Sequence, residues 1–243
     1  MARNEFPLNY GMTAELVPLF KKELEFCKVK PDETVALFYD SRTNPHYPAA
    51  FMGAAMDIGA DVFGIQVPFF TQTTRKILRA ASDDVIPQNG PMQAMQAADI
   101  VIDLSTLGWL YTKVHNEVLA SGTRTLMVNN PPEILRRLLP EENVKRRALA
   151  GAEVLQEGKK LRMTSSAGTD LTLDKTGRKG VGQYGASDIP GRWDHWPSGQ
   201  CACAPVEGTA EGILVLDIGD VILRLERYVS EPIRCIFENG KIV

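Results

Sequence analysis

The chain has 243 residues, 44% of them hydrophobic and 23% charged, with a formal net charge of -3. That composition belongs to a soluble globular protein with ample length for a core. It offers no basic field for nucleic acid, and no apolar run long enough to span a bilayer. The opening "MARNEFPLNYGM" lacks the apolar core of a signal peptide, so the expected location is the cytoplasm.

The first clear element is "TVALFYD" (34–40), a compact apolar strand ending in Asp40-Ser41-Arg42. "NPHYPAAFMGAAMDIGA" (44–60) reads as a turn followed by a helix rich in Ala and Met. "DVFGIQVPF" (61–69) is a second strand, "PMQAMQAA" (91–98) a helix, and "DIVIDLS" (99–105) a third strand. "TKVHNEVLAS" (112–121) is helical and "TRTLMVNN" (123–130) is a fourth strand. "PPEILRRLL" starts a helix with proline near its first position, where the missing N–H does no harm. "EENVKRRALAGAEVLQE" (141–157) is another helix. Apolar strands separated by helices indicate an open, mostly parallel sheet with helices on both faces.

The texture changes near residue 158. "KKLRMTSS", "DLTLDKTG", "QCACAPVE", "EGILVLDIGDVIL" and "PIRCIFENGKIV" read as strands joined by Gly-containing turns. The expected architecture is α/β: a Rossmann-like domain over 1–157, then a mainly β part over 158–243. Asn239-Gly240 between apolar runs is a strong hairpin signal, and the sequence ends three residues later. The expectation is therefore an incomplete β part whose exposed apolar surface promotes self-association.

Several constellations could carry chemistry. "GVGQYG" (180–185) matches G-x-G-x-x-G formally but lies in the β-rich part and runs into Pro190-Gly191, so it reads as a flexible turn. Arg42 follows the first strand, where open α/β sheets bind ligands, and could clamp an anion or a carbonyl. His46 reads as a surface residue at a helix start. Trp109 and Tyr111 are large for a loop and either cover a pocket or cap the core. His115 lies among charged neighbours, and its periodicity puts it toward solvent or a partner.

The three histidines have no metal-ligand spacing, so no metal residue is assigned. The four cysteines form no disulfide framework, and Cys201 and Cys203 read as buried free thiols.

"GRWDHWPSG" (191–199) is the most unusual stretch. Read as a loop ordered by Pro190, Gly191, Pro197 and Gly199, it could turn Asp194 and His195 into one cleft. Its tryptophans would then be walls for a flat ring, and His195 a proton-transfer group. A loop merely docked on the core by its tryptophans remains the open alternative.

The stretch "YGASDIPGRWDHWPSG" (184–199) resembles the central segment of the 2,5-dihydroxypyridine 5,6-dioxygenases, within the aminopeptidase T-like superfamily. "SRTN", "ADIVIDLS", "SGTRTLMVNNPPEILRRLLP", "KRRALAGAEVL", "TSSAGTDL" and "EGILVLDIGDVIL" agree with it in the same order along the chain. The resemblance implies an Fe(II)-dependent enzyme of nicotinate degradation. Such an enzyme opens a hydroxylated pyridine between carbons 5 and 6 with dioxygen, giving N-formylmaleamate.

Two histidines and one aspartate would hold the iron, in a segment beyond "ENGKIV", so no iron ligand is assigned in this sequence. His195 matches a family histidine that hydrogen-bonds substrate. Gln183 stands where the family has a glutamate, Tyr111 where it has a histidine, and Leu110 matches the leucine before that. Gln cannot ionise, and tyrosine is a poor base near neutrality, so a changed substrate or proton route is expected.

The implied site is therefore His195 and Tyr111 for proton chemistry, with Gln183, Leu110, Trp193 and Arg42 binding substrate. The expected partners are a small heterocycle and dioxygen, in a homo-oligomer, with no nucleic acid and no membrane. Two alternatives stand beside this reading. One is a metallo-aminopeptidase-like hydrolase, disfavoured because Gly199-Gln200-Cys201 lacks a carboxylate. The other is a non-catalytic binder of an aromatic metabolite.

Overall fold

The structure is a computed structural model that describes residues 10–69, 90–106, 108–222, 225 and 227–243. The opening stretch 1–12, read as lacking a signal sequence, lies largely outside the described residues, since 1–9 are not among them. The chain divides into two compact units. One comprises residues 1–144 and 183–199, the other 145–182 and 200–243.

The first unit is built on a five-stranded sheet of order β2-β1-β3-β4-β8. Its strands are β1 (Thr34–Asp40), β2 (Asp61–Val67), β3 (Ile100–Asp103), β4 (Arg124–Met127) and β8 (Trp193–His195). Every neighbouring pair is parallel. β1 and β3 lie inside the sheet, and their near-continuous apolar sequence follows from that: all of Ile100–Asp103 and most of Thr34–Asp40 are buried.

Helices α1 (Tyr10–Phe26) and α2 (His46–Ile58) pack together. The interface holds Phe20, whose ring stacks on Phe51 at 4.0 Å and meets Tyr47 edge-on at 5.2 Å. Leu16, Phe20 and Leu24 recur every four residues, so one face of α1 is fully buried. α1 was not among the expected elements, because Pro18 interrupts its pattern. Gly59 ends α2 in the left-handed region (φ 94°), and its N–H donates to the carbonyls of Ala55 and Met56.

α3 (Gly90–Gln96) and α4 (Lys113–Ala120) bring Met95, Val114 and Val118 into a second apolar cluster with Ala36, Phe38, Val101 and Trp109. Trp109 thus caps the core. α5 (Pro132–Arg137) starts with proline at its first turn, as expected.

β8 corrects the loop reading of "GRWDHWPSG". Thr125 pairs with Trp193 and Met127 with His195, so these four share one face of the sheet, while Asp194 is on the other. Asp194 is fully buried, so it does not share an open cleft with His195. Trp196 just beyond the strand is also fully buried. It lies edge-on to Phe20 at 6.0 Å, and its Nε1–H donates to the Leu138 carbonyl at 2.8 Å. Trp196 is a core residue and not a pocket wall.

The second unit holds a sheet of order β14-β13-β10-β6-β5. Its strands are β5 (Lys160–Thr164), β6 (Asp170–Asp174), β10 (Glu211–Leu216), β13 (Ile233–Glu238) and β14 (Lys241–Ile242), all antiparallel. Asn239 and Gly240 join β13 to β14 with φ of 51° and 76°, the positive pair that a tight hairpin requires. Met163, Ile233, Ile236 and Ile242 are exposed on this unit.

β7 (Val181–Gln183) pairs with β9 (Gln200–Ala202), and β11 (Val221–Ile222) with β12 (Arg227–Tyr228). The "GVGQYG" glycines let the chain pass close to α6 (Glu142–Glu157). A Cβ on Gly180 would sit 1.9 Å from the Ala152 carbonyl oxygen, and one on Gly182 would sit 2.8 Å from that of Ala148. Cys201 is exposed and Cys203 half-buried, which overturns their reading as buried thiols. β9 is a three-residue strand in a two-stranded ribbon and all its residues are exposed, so alternation does not bury the thiols.

Candidate functional site

Two features gather at the first unit's sheet. One is a ring cluster on the face carrying Thr125, Met127, Trp193 and His195. The other is a cavity at the carboxyl ends of β1, β3 and β4.

The ring cluster is centred on His115, which corrects its expected exposure: it is only 1% exposed. α4 brings it inward because Thr112 caps the helix, its Oγ1 accepting from the His115 N–H. His115 Nε2 lies 3.0 Å from Thr125 Oγ1, and its Nδ1 accepts the Tyr111 backbone N–H at 3.4 Å. With Nδ1 accepting, the ring is neutral and Nε2 donates to Thr125. Burial pushes its pKa down to about 4, which keeps it neutral.

The bond to Nδ1 helps hold Tyr111 in the left-handed region (φ 66°), a costly conformation for a bulky residue. Tyr111 consequently projects outward, 75% exposed, with its ring edge-on to Trp193 at 5.4 Å. Trp193 and Trp109 meet His115 edge-on at 6.0 and 5.2 Å. Leu110 between Trp109 and Tyr111 is half-buried.

His195 lies two residues beyond Trp193 on the same face, partly exposed. Its Nδ1 is 3.9 Å from Asp194 Oδ1, which accepts the His195 backbone N–H at 2.8 Å. Asp194 Oδ2 accepts from Arg192 Nη2 at 2.7 Å and from the Tyr184 backbone at 2.9 Å. Arg192 also lies over the Tyr184 ring at 4.0 Å, and Tyr184 donates to Asp188. Ser187 donates to the Thr125 carbonyl at 2.6 Å. These bonds fix the segment carrying Gln183, whose side chain is buried, against the sheet.

The cavity has a volume of about 470 Å³. Arg42, Thr43, Asn44, His46 and Tyr47 line one side, Leu104 and Thr106 another, and Asn129–Pro132 a third. It opens where the chain leaves β1 for β2 on one side and β3 lies on the other, the switch point at which open α/β sheets bind ligands. The Asp40 carboxylate organises it: Oδ1 accepts from the backbones of Arg42 and Thr43 and from Thr106 Oγ1, and Oδ2 from the Thr106 backbone. Asp103, buried at the end of β3, accepts from the Ser105 backbone and hydroxyl and from the Trp109 backbone. Burial raises its pKa to about 7, against the pull of the Ser105 and Trp109 bonds.

The 2,5-dihydroxypyridine 5,6-dioxygenase (NicX) family model matches residues 15–243. The chain belongs to that family. A 2,5-dihydroxypyridine 5,6-dioxygenase from Pseudomonas putida is 36% identical over 233 residues, 94% of this chain and 66% of the relative. The chain thus spans about two thirds of that relative's length. The solved structure of the dioxygenase from P. putida KT2440 superposes with a TM-score of 0.88, covering 95% of this chain and 67% of that one. Wild-type AmpT from Thermus thermophilus, 14% identical, matches 96% of this chain and 71% of its own with a TM-score of 0.54, a likeness of fold alone.

Among the residues expected from the sequence, the structure brings together Tyr111 and Trp193, with His195 on the same sheet face and Leu110 beside Tyr111. Arg42 lines the cavity, and Tyr111 and Trp193 do not. His46 starts α2 and its Nδ1 is 2.8 Å from Thr13 Oγ1. Sequence reasoning missed His115 as the support of Tyr111, and Asp40, Asp103 and Thr106 as loop organisers. Only the end of "TVALFYD" gave a signal for Asp40. Among the described residues, no three His, Cys, Asp or Glu side chains are grouped as metal ligands.

Proposed function

We propose that this chain is a ring-cleaving dioxygenase acting on 2,5-dihydroxypyridine or a related hydroxylated N-heterocycle. It opens the ring between carbons 5 and 6 to N-formylmaleamate, a step of nicotinate degradation. The family match over residues 15–243 carries this reading.

The ring cluster supports it chemically. The outward Tyr111 ring and Trp193 offer an aromatic surface against which a flat heterocycle stacks. His195, partly exposed on the same face, takes a ring-hydroxyl proton. Gln183 and Leu110 complete the substrate contacts, with Gln183 hydrogen-bonding as a neutral amide.

Fe(II) is the cofactor expected of this chemistry, where it would activate dioxygen. The described residues do not fit an iron centre of two histidines and an aspartate, so the roles given to this chain are binding, orientation and proton transfer. We place the protein in the cytoplasm as a homo-oligomer. No helix among the described residues is long and apolar enough to cross a membrane.

The test is oxygen uptake by the purified chain, supplied with Fe(II) and 2,5-dihydroxypyridine, alongside loss of the ring's ultraviolet absorbance. Uptake above an iron-only control is expected. Uptake equal to that control overturns the proposal.

A further inference from the structure

We propose that the cavity at the β1–β3 switch point is a separate binding site for a small organic carboxylate with a flat or apolar body, clamped by Arg42. Among the described residues the lining carries one permanent charge, the Arg42 guanidinium, and no Asp or Glu. Among the described residues that guanidinium is paired with no carboxylate. It lies over the face of Phe69 at 4.1 Å, which restrains it without neutralising it. The positive end of the α2 dipole points into the same space, since Asn44, Pro45, His46 and Tyr47 form both the helix start and one wall.

The donors decide between a carboxylate and a phosphate. Phosphate sites in loops use rows of free backbone N–H groups. On the wall formed by residues 42–47, four of those groups are spent. The Arg42 and Thr43 N–H groups bond Asp40, those of His46 and Tyr47 bond Asn44, and residue 48 is proline. The charged donor of the lining is the planar fork of Arg42, which matches a carboxylate in two parallel bonds, and the lining adds the side-chain amides of Asn129 and Asn130. Pro45, Leu104, Pro131 and Pro132 supply apolar wall for the rest of the ligand.

The site is preformed. Asp40 ties the loop after β1 to Thr106, Thr43 donates to the Leu104 carbonyl at 3.0 Å, and Tyr47 donates to the Asn130 carbonyl at 2.5 Å. All three walls are therefore held before a ligand arrives, which lowers the ordering cost of binding. The cavity volume lies within the usual range for small-molecule sites.

Binding is read without turnover, so its outcome is independent of whether the chain opens a ring. Amide NMR spectra of the isotopically labelled full chain are recorded with benzoate, benzamide or inorganic phosphate. Benzoate is expected to shift the amides of residues 42–44, 46–47, 104–106 and 129–130, and to bind more tightly than benzamide or phosphate. Arg42→Gln is expected to weaken benzoate at least about tenfold, as loss of a charge-assisted pair predicts, and Arg42→Lys to weaken it less. Arg42 is exposed, so neither variant threatens folding. Benzamide or phosphate binding as tightly as benzoate, shifts confined to other residues, or unchanged benzoate binding by Arg42→Gln would each overturn the assignment.

Discussion

Histidine 115 supports Tyr111 only while it is neutral, and that makes the support sensitive to acid. Its pKa falls from 6.5 to about 4 through burial. The unfolded chain therefore binds a proton across that window that the folded chain refuses. Stability from this group is fully present above pH 6.5 and is lost as pH falls toward 4. At 1.36 kcal/mol per unit, the wild type should lose ~2.5 kcal/mol between pH 7.5 and 4.5 from His115 alone.

His115→Gln removes the titration and keeps an N–H donor for Thr125. Urea unfolding of both proteins at the two pH values isolates the effect, because every other titrating group is common to both. The difference in stability between wild type and variant should shrink, or turn in the variant's favour, by ~2.5 kcal/mol at pH 4.5. In parallel, the imidazole C2–H resonance missing from the variant should show no midpoint near 6.5 in the wild type. A normal midpoint for that resonance, or parallel pH dependence of the two stabilities, would refute the buried neutral histidine.

Three further outcomes follow from the same geometry. Asp103 carries the opposite sign: its pKa is raised to about 7, so its contribution is present at low pH and lost as pH rises through 7. Asp103→Asn should accordingly gain stability relative to wild type between pH 4 and 7 in urea titrations. Trp196→Ala should cost ~3–5 kcal/mol in the same assay, the usual cost of removing a fully buried large ring, whereas a pocket-wall residue would cost far less. His195→Ala should slow dioxygen uptake with 2,5-dihydroxypyridine by roughly 10²–10⁴ while leaving the thermal midpoint nearly unchanged, since the ring is partly exposed.

Much of the architecture was legible because its signals are local. Runs such as "TVALFYD" and "DIVIDLS" are apolar without alternation, and only strands covered on both faces need that. Asn239-Gly240 is a hairpin in the sequence and a hairpin in the structure, because both residues tolerate positive φ. The family, too, could be read from a short Trp-rich stretch. The candidate site was legible in part: Tyr111, Trp193 and His195 were named from the sequence, and two of them stand ring to ring.

Tertiary pairing decided what local pattern could not. Whether "WDH" is a loop or a strand depends on β4, which lies more than sixty residues earlier in the chain and supplies its hydrogen-bonding partner. Once paired, alternation sends Asp194 into the core and turns Trp193 and His195 to the opposite face. The charged neighbours of His115 suggested solvent, yet the Thr112 cap and the sheet beneath α4 bury it. The sequence determined which segments become strands and helices, through propensity and hydrophobic period. Only the folded sheet decided which side chains of those segments meet, because that depends on strand order and register, and these are set by contacts far apart in the chain.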